Sequence, residues 1–106
     1  MTLTSKQRAF LRGKANSLET VFQIGKQGIN DALIKQTEQL LELRELVKLR
    51  VLETCEISAR EAADSVANAV GAQVVQVIGS RFILFKESKE HKELSLEVKR
   101  IKTEKR

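Results

Sequence analysis

Proline, tryptophan and tyrosine are absent from this 106-residue chain, cysteine and histidine occur once each, and the only aromatic side chains are Phe10, Phe22, Phe82 and Phe85. A lone Cys55 excludes an intrachain disulfide framework and fits a reducing compartment. It follows an apolar strand-like run with no histidine nearby, so it reads as a passive thiol rather than a nucleophile. His91 cannot assemble a two-histidine or His–Cys metal site within one chain, and no metal or cofactor is expected. The acidic pairs Glu53 with Glu56 and Glu61 with Asp64 fit solvated loop and helix-cap positions, which leaves no catalytic cluster and predicts a non-enzyme with no small-molecule substrate. Met1 to Lys14 lacks the apolar run of a secretory signal, and no stretch approaches the roughly 18 apolar residues of a membrane span. A soluble cytoplasmic protein is expected.

Hydrophobic residues make up 42% of the chain, enough for one core built from Leu, Val, Ile and Ala. The formal net charge is +5, which favours polyanionic partners. Its distribution says more. Residues 1–28 carry five Lys/Arg against one acid, whereas residues 29–71 carry five against eight.

Thr4 precedes a helical run from Ser5 to Asn16 whose apolar residues share one side, with Arg8 and Arg12 projecting together at i, i+4 from another. Val21 to Ile24 reads as a short strand. Asn30 caps a second helix with Leu33, Ile34, Thr37, Leu40 and Leu41 along one stripe. Leu46 to Leu52 alternates as a strand, and Ser58 with Glu61 has capping-box spacing ahead of a small-residue helix ending at Gly71. Val74–Ile78 and Arg81–Lys86 flank Gly79-Ser80, a hairpin signal. The order αβαβαββ predicts an α/β two-layer sandwich with a mixed four-stranded sheet. Residues 1–86 are expected to form the domain. Residues 87–106 hold seven Lys/Arg and five Glu and are expected to be a charged tail, partly helical or disordered, with Leu94, Val98 and Ile101 able to line a short helix.

Between the first strand and the second helix lies Ile24-Gly25-Lys26-Gln27-Gly28-Ile29. Two glycines allow tight backbone torsions and close ligand approach, the following helix offers free N–H groups and a positive dipole end, and Lys26 adds a mobile ammonium. That combination suits a phosphate. A bare GxxG is also the shape of an ordinary strand-to-helix turn, but this one follows the most basic segment, and a GxxG loop clamps nucleic-acid backbone in the KH module. It lacks the Gly-Lys-Ser/Thr ending of a Walker loop and the GxGxxG dinucleotide pattern. The four Phe form no stacking platform, so backbone contact is expected over base stacking.

Leu3-Thr4-Ser5-Lys6-Gln7-Arg8, Phe10-Leu11-Arg12, the Val21-to-Ile29 stretch with GKQG, and Val75-Gln76-Val77-Ile78-Gly79 together resemble the CRM domain, or YhbY family, over residues 2 to 86. The resemblance implies a KH-like fold similar to the C-terminal domain of translation initiation factor three. It also implies an RNA-binding protein of ribosome biogenesis, acting on large-subunit precursor ribosomal RNA. The residues it assigns to RNA are Gly25, Lys26, Gln27 and Gly28, supported by Lys6, Arg8 and Arg12. The family commonly has a His near Asn16 and a Pro near Thr20; this chain has neither, and those positions receive no role. Lys48, Arg50, Arg81 and Lys86 are further basic residues whose facing the sequence leaves open. The rival reading is a protein-interaction adaptor whose basic surface meets acidic partners and whose tail folds on docking.

Overall fold

Each of the first three helices starts where a side chain satisfies backbone N–H groups that would otherwise be orphaned. In the computed structural model, which describes residues 2–101, Thr4 and Gln7 form a capping box on α1 (Ser5–Ala15). Asn30 caps α2 (Asp31–Arg44), and Ser58 with Glu61 boxes α3 (Ala59–Val70). The strands are β1 (Phe22–Ile24), β2 (Leu46–Val51), β3 (Gln73–Ile78) and β4 (Arg81–Phe85), followed by α4 (Leu94–Arg100). The sheet order is β1-β2-β4-β3. β1 runs parallel to β2, and the other pairs are antiparallel, so the sheet is mixed as expected.

Strand alternation then decides which layer each residue serves. Val47, Leu49 and Val51 of β2 and Phe82 and Leu84 of β4 face α2 and α3, where Leu33, Leu41, Ala62, Ala63, Val66 and Val70 close the larger core. The opposite face carries Leu46, Val75, Ile83 and Phe85, which pack under Leu3, Leu11 and Ala15 of the N-terminal segment and Val98 of α4. Phe82 and Phe85 therefore serve opposite faces. Helices on both sides of the sheet make three layers where two were expected. The third exists because the open face retains an apolar half that α1 and α4 jointly cover.

Residues up to Ile101 in the expected tail belong to this folded body. Val98 is fully buried, Gln7 donates to the Val98 carbonyl at 3.0 Å, and Leu94 packs against the same cluster. Two carboxylates at the end of α2 hold the connection to α4. Glu45 accepts from the amides of Ser88 at 2.8 Å and of Glu93 and Ser95 at 3.0 Å each. Glu42 accepts from the Ser88 hydroxyl and from the amides of Lys89 and Glu90. Glu45 is itself buried and takes a left-handed backbone with φ 67°, a conformation that costs a non-glycine residue about 1–2 kcal/mol. Its carboxylate bonds offset that cost.

Candidate nucleic-acid interface

The GKQG segment leaves β1 at the end of the sheet away from α1. Its first residue accepts from its last: the Gly28 amide donates to the Gly25 carbonyl at 2.9 Å, closing a turn with Lys26 and Gln27 at its apex. Among the described residues, the Lys26 and Gln27 amides donate to no protein group, and both side chains are exposed.

The two glycines do different work. Gly28 has φ +68° with open space where a Cβ would stand, so it is required by torsion. Gly25 has no such torsion; its missing Cβ makes room for Thr54 Oγ1 at 3.3 Å and Leu52 Cδ1 at 3.5 Å. Torsion thus accounts for Gly28 alone, and Gly25 serves close packing of the chain on itself rather than the approach of a ligand. The α2 N-terminus is also less open than expected, because Asn30 Oδ1 already accepts from the Leu33 amide at 2.9 Å and Asp31 occupies the first turn. The free amides are those of the turn more than those of the helix.

Beside the turn runs an open groove of about 420 Å³ lined by Phe22, Gln23, Lys26, Asn30 and Gln36 among others. Its polar walls are mostly carboxamides, which donate and accept without carrying charge. No carboxylate lies within ion-pair distance of Lys26 among the described residues. Such a site can receive an anion at the turn and present amides to whatever is attached to it.

The structure brings Gly25, Lys26, Gln27 and Gly28 together and sets Lys6, Arg8 and Arg12 apart. The latter lie on α1, over the Leu46, Val75 and Phe85 end of the sheet, whereas GKQG follows Ile24, which is paired with Val51 at the other end of β2. Nearness in sequence to the loop does not become a shared pocket. Arg8 is half-buried and its guanidinium donates to the Val74 carbonyl, beside the register shift between Val74 and Gln76, where a bulge leaves backbone groups without ladder partners. Lys6 and Arg12 are exposed. Lys86 is also occupied, donating to the Val70 carbonyl at 2.7 Å, where its charge meets the negative end of α3. Arg50 and Arg81 are direct cross-strand partners. Sequence alternation already placed Lys48 and Arg50 on one face, but the register with Arg81 needed the fold.

At the far end of α2, hydrogen bonds from the Lys89 amide, the Ser88 hydroxyl and the Glu90 amide hold the Glu42 carboxyl at about 2, well below its ordinary 4.5. Burial pushes Glu45 upward, but the amides of Ser88, Ser95 and Glu93 help to outweigh it and keep its value below the usual range. Sequence reasoning missed this pair, because no glycine or proline marks the end of α2 and the amides it binds lie more than forty residues away.

Fold and site together define a small mixed-sheet α/β domain with an exposed, glycine-framed turn at its edge. The chain belongs to the CRS1 / YhbY (CRM) domain family, which matches residues 3–86. It is 47% identical over 94 residues to the Probable RNA-binding protein YqeI of Bacillus subtilis, a match covering 89% of this chain and 98% of that protein. A Haemophilus influenzae protein named RNA-binding protein is 30% identical over 91 residues, covering 86% of this chain and 92% of its own length. The solution structure of the Staphylococcus aureus hypothetical protein SAV1595, titled as a candidate RNA-binding protein, superposes with a TM-score of 0.72 at 44% identity, covering 86% of this chain and 95% of that one. A match to YqeI covering 89% of the 106 residues extends, wherever it starts, past Lys86 into the segment held by Glu42 and Glu45.

Proposed function

We propose that this chain is a non-enzymatic, cytoplasmic RNA-binding protein that assists ribosome assembly on large-subunit precursor ribosomal RNA. The observation that carries the RNA-binding site is the GKQG turn, whose two apex amides and Lys26 ammonium have no partner among the described residues and border an amide-lined groove. A backbone phosphate meets the Lys26 and Gln27 amides and the ammonium, while Gln23, Asn30 and Gln36 face the attached sugar and base. Lys6 and Arg12 add positive field from α1, with Arg8 contributing less because its guanidinium serves the sheet. Residues 1–86 carry the RNA-binding module, and the segment after Lys86 braces it. RNA as the partner is supported by the names of the relatives; the ribosomal assignment rests on the family resemblance.

The adaptor reading loses its main device, since the segment expected to fold on a partner is, through Arg100, packed on the chain itself. Among the described residues no helix is long and apolar enough to cross a membrane. Sequencing RNA crosslinked to the protein in cells, for the parent and for Lys26→Ala, tests the proposal. Large-subunit precursor sequences enriched with the parent and depleted with the variant are expected. Enrichment of unrelated RNA refutes the ribosomal assignment, and equal recovery with the variant refutes the loop.

A further inference from the structure

On the face of the sheet shared with α1, the half that α1 and α4 leave open carries a polar row running straight across the strands. Gln23 of β1 pairs with Arg50 of β2, Arg50 with Arg81 of β4, and Arg81 with Ile78 of β3. The next row on that face contains Lys48, Ile83 and Gln76. Neither row includes an acidic residue.

Two features make the Arg50–Arg81 pair unlike an ordinary solvated surface. Directly opposed like charges on adjacent strands destabilise a sheet, because partner Cβ atoms stand about 4.5–5.5 Å apart. Among the described residues, neither arginine has a carboxylate within ion-pair distance to relieve the repulsion. In addition, the Arg50 Nε is buried and has no hydrogen-bond partner among the described residues, an arrangement that leaves a charged donor neither solvated nor satisfied. The repulsion is relieved by an anion with several acceptor oxygens lying over the pair, whereas the Arg50 Nε, buried from solvent, is met by such a ligand only if the side chain turns outward. Guanidinium groups suit phosphate in this role because their planar donors engage two oxygens at once.

We propose that Arg50 and Arg81, with Lys48 beside them, form a second phosphate-binding line for RNA, continuous with the GKQG groove through Gln23. Gln23 lines that groove and is also the cross-strand neighbour of Arg50, so the two surfaces meet at one residue. The RNA backbone enters at the turn, crosses the β1 edge and continues over the sheet. At about 4.8 Å per strand, the passage from Gln23 to Arg81 spans roughly 10 Å. Exposed Ile78 lies at the far end of the row, where a sugar or base can rest against it.

This inference rests on the loop reading, and oligouridylates of increasing length separate the two. Anisotropy titrations over a range of salt, with the parent, Lys26→Ala, Arg50→Gln, Arg81→Gln and the double arginine variant, form the experiment. Lys26→Ala is expected to weaken binding at every length. The arginine variants are expected to bind the shortest oligomers as the parent does and to weaken only the longer ones. The salt slope should become shallower by about 0.7 for one lost contact and about 1.4 for two. Arg81 is exposed, so Arg81→Gln carries the test even if Arg50→Gln unfolds. Because it removes a repulsion, its thermal midpoint at low salt should equal or exceed the parent's. Unchanged affinity and slope for Arg81→Gln on long oligomers, with Lys26→Ala still defective, overturns the second line and spares the loop. A loss confined to the arginine variants overturns the loop and the continuity with it. A lower midpoint for Arg81→Gln would make it a structural residue and overturn its assignment here. Binding of polyglutamate in place of every oligouridylate would overturn both in favour of an acidic protein partner.

Discussion

The two ends of α2 treat backbone amides in opposite ways. At its N-terminal end the Lys26 and Gln27 amides meet no acceptor in the described chain. At its C-terminal end, about 21 Å away for fourteen helical residues, five amides between Ser88 and Ser95 are each met by Glu42 or Glu45. The second end holds carboxylates where the helix dipole disfavours them, and it succeeds because the incoming segment supplies donors. One end is internally satisfied and braces the fold; the other is left with capacity for an external anion. A binding turn cannot be both, since a carboxylate seated on the Lys26 and Gln27 amides would compete with every phosphate.

The largest expected effect breaks the satisfied end. Glu45→Ala removes the acceptor for three amides while leaving a side chain at φ 67°, and an unsatisfied buried donor costs about 1–3 kcal/mol. A loss of about 3 kcal/mol or more is expected, a fall in thermal midpoint of about 12 °C or more for a domain of this size. Deleting residues 87–106 should destabilise by a similar amount, because it removes buried Val98, for which burial contributes about 1.5–3 kcal/mol, and strands both carboxylates. Thermal unfolding of the two variants checks this. A truncation that melts like the parent would show that residues 1–86 are self-sufficient and that the brace contributes nothing.

Acid should open the same end selectively. Glu42 and Glu45 both have folded-state values below their unfolded ones, so the stability they contribute is fully present above about pH 4.5. It is lost as pH falls toward the folded value, about 2 for Glu42. Hydrogen exchange of the Ser88–Ser95 amides, normalised for intrinsic rates, is expected to lose protection over that interval. Protection that persists unchanged to pH 2 would remove the carboxylates from the brace.

The contrast between the ends also explains what was readable in advance. The GKQG turn is local, and two glycines with a lysine between them announce it. Thr4, Asn30 and Ser58 mark their helices just as locally. The brace is non-local: Glu45 sits in Arg44-Glu45-Leu46 with no helix-ending glycine, and its partners are 43 to 50 residues away. The third layer was hidden for a related reason. Leu94 and Val98 are two apolar residues in a charged stretch, and their burial depends on α1 having already covered half of the sheet. Arg8 shows the converse, since its i, i+4 spacing with Arg12 was legible whereas the bulge at Val75 that claims its guanidinium was not.

At the open end the expected effects fall on binding and spare the fold. Lys26 is exposed and, among the described residues, unpaired, so Lys26→Ala should leave the thermal midpoint within about 2–4 °C of the parent, the roughly 0.5 kcal/mol usual for surface substitutions. It should weaken single-stranded RNA of differing sequence by similar factors and reduce the salt slope by about 0.7. Anisotropy titrations at several salt concentrations read this directly. A loss restricted to one sequence with the slope intact would shift the role of Lys26 from phosphate to base.

The smallest effects separate the two glycines that frame the turn. Gly28 needs a left-handed torsion but has free space around it, so Gly28→Ala should cost about 1 kcal/mol, the penalty of placing a Cβ in that region. Gly28→Asn should cost less, because asparagine tolerates the same torsion. Gly25→Ala meets Thr54 Oγ1 at 3.3 Å, and Thr54 is exposed and able to yield. The reduced freedom of the unfolded chain offsets that contact, and the net change should lie within about 0.5 kcal/mol of zero. None of the three substitutions covers the Lys26 and Gln27 amides, so RNA affinity should stay within about two-fold of the parent for each, a difference of roughly 0.4 kcal/mol. Chemical denaturation and RNA titration of the three variants side by side give the comparison. If Gly28→Asn folds normally yet binds poorly, the space beside Gly28 is itself occupied by the RNA, and the contact extends from the apex amides to the flank of the turn.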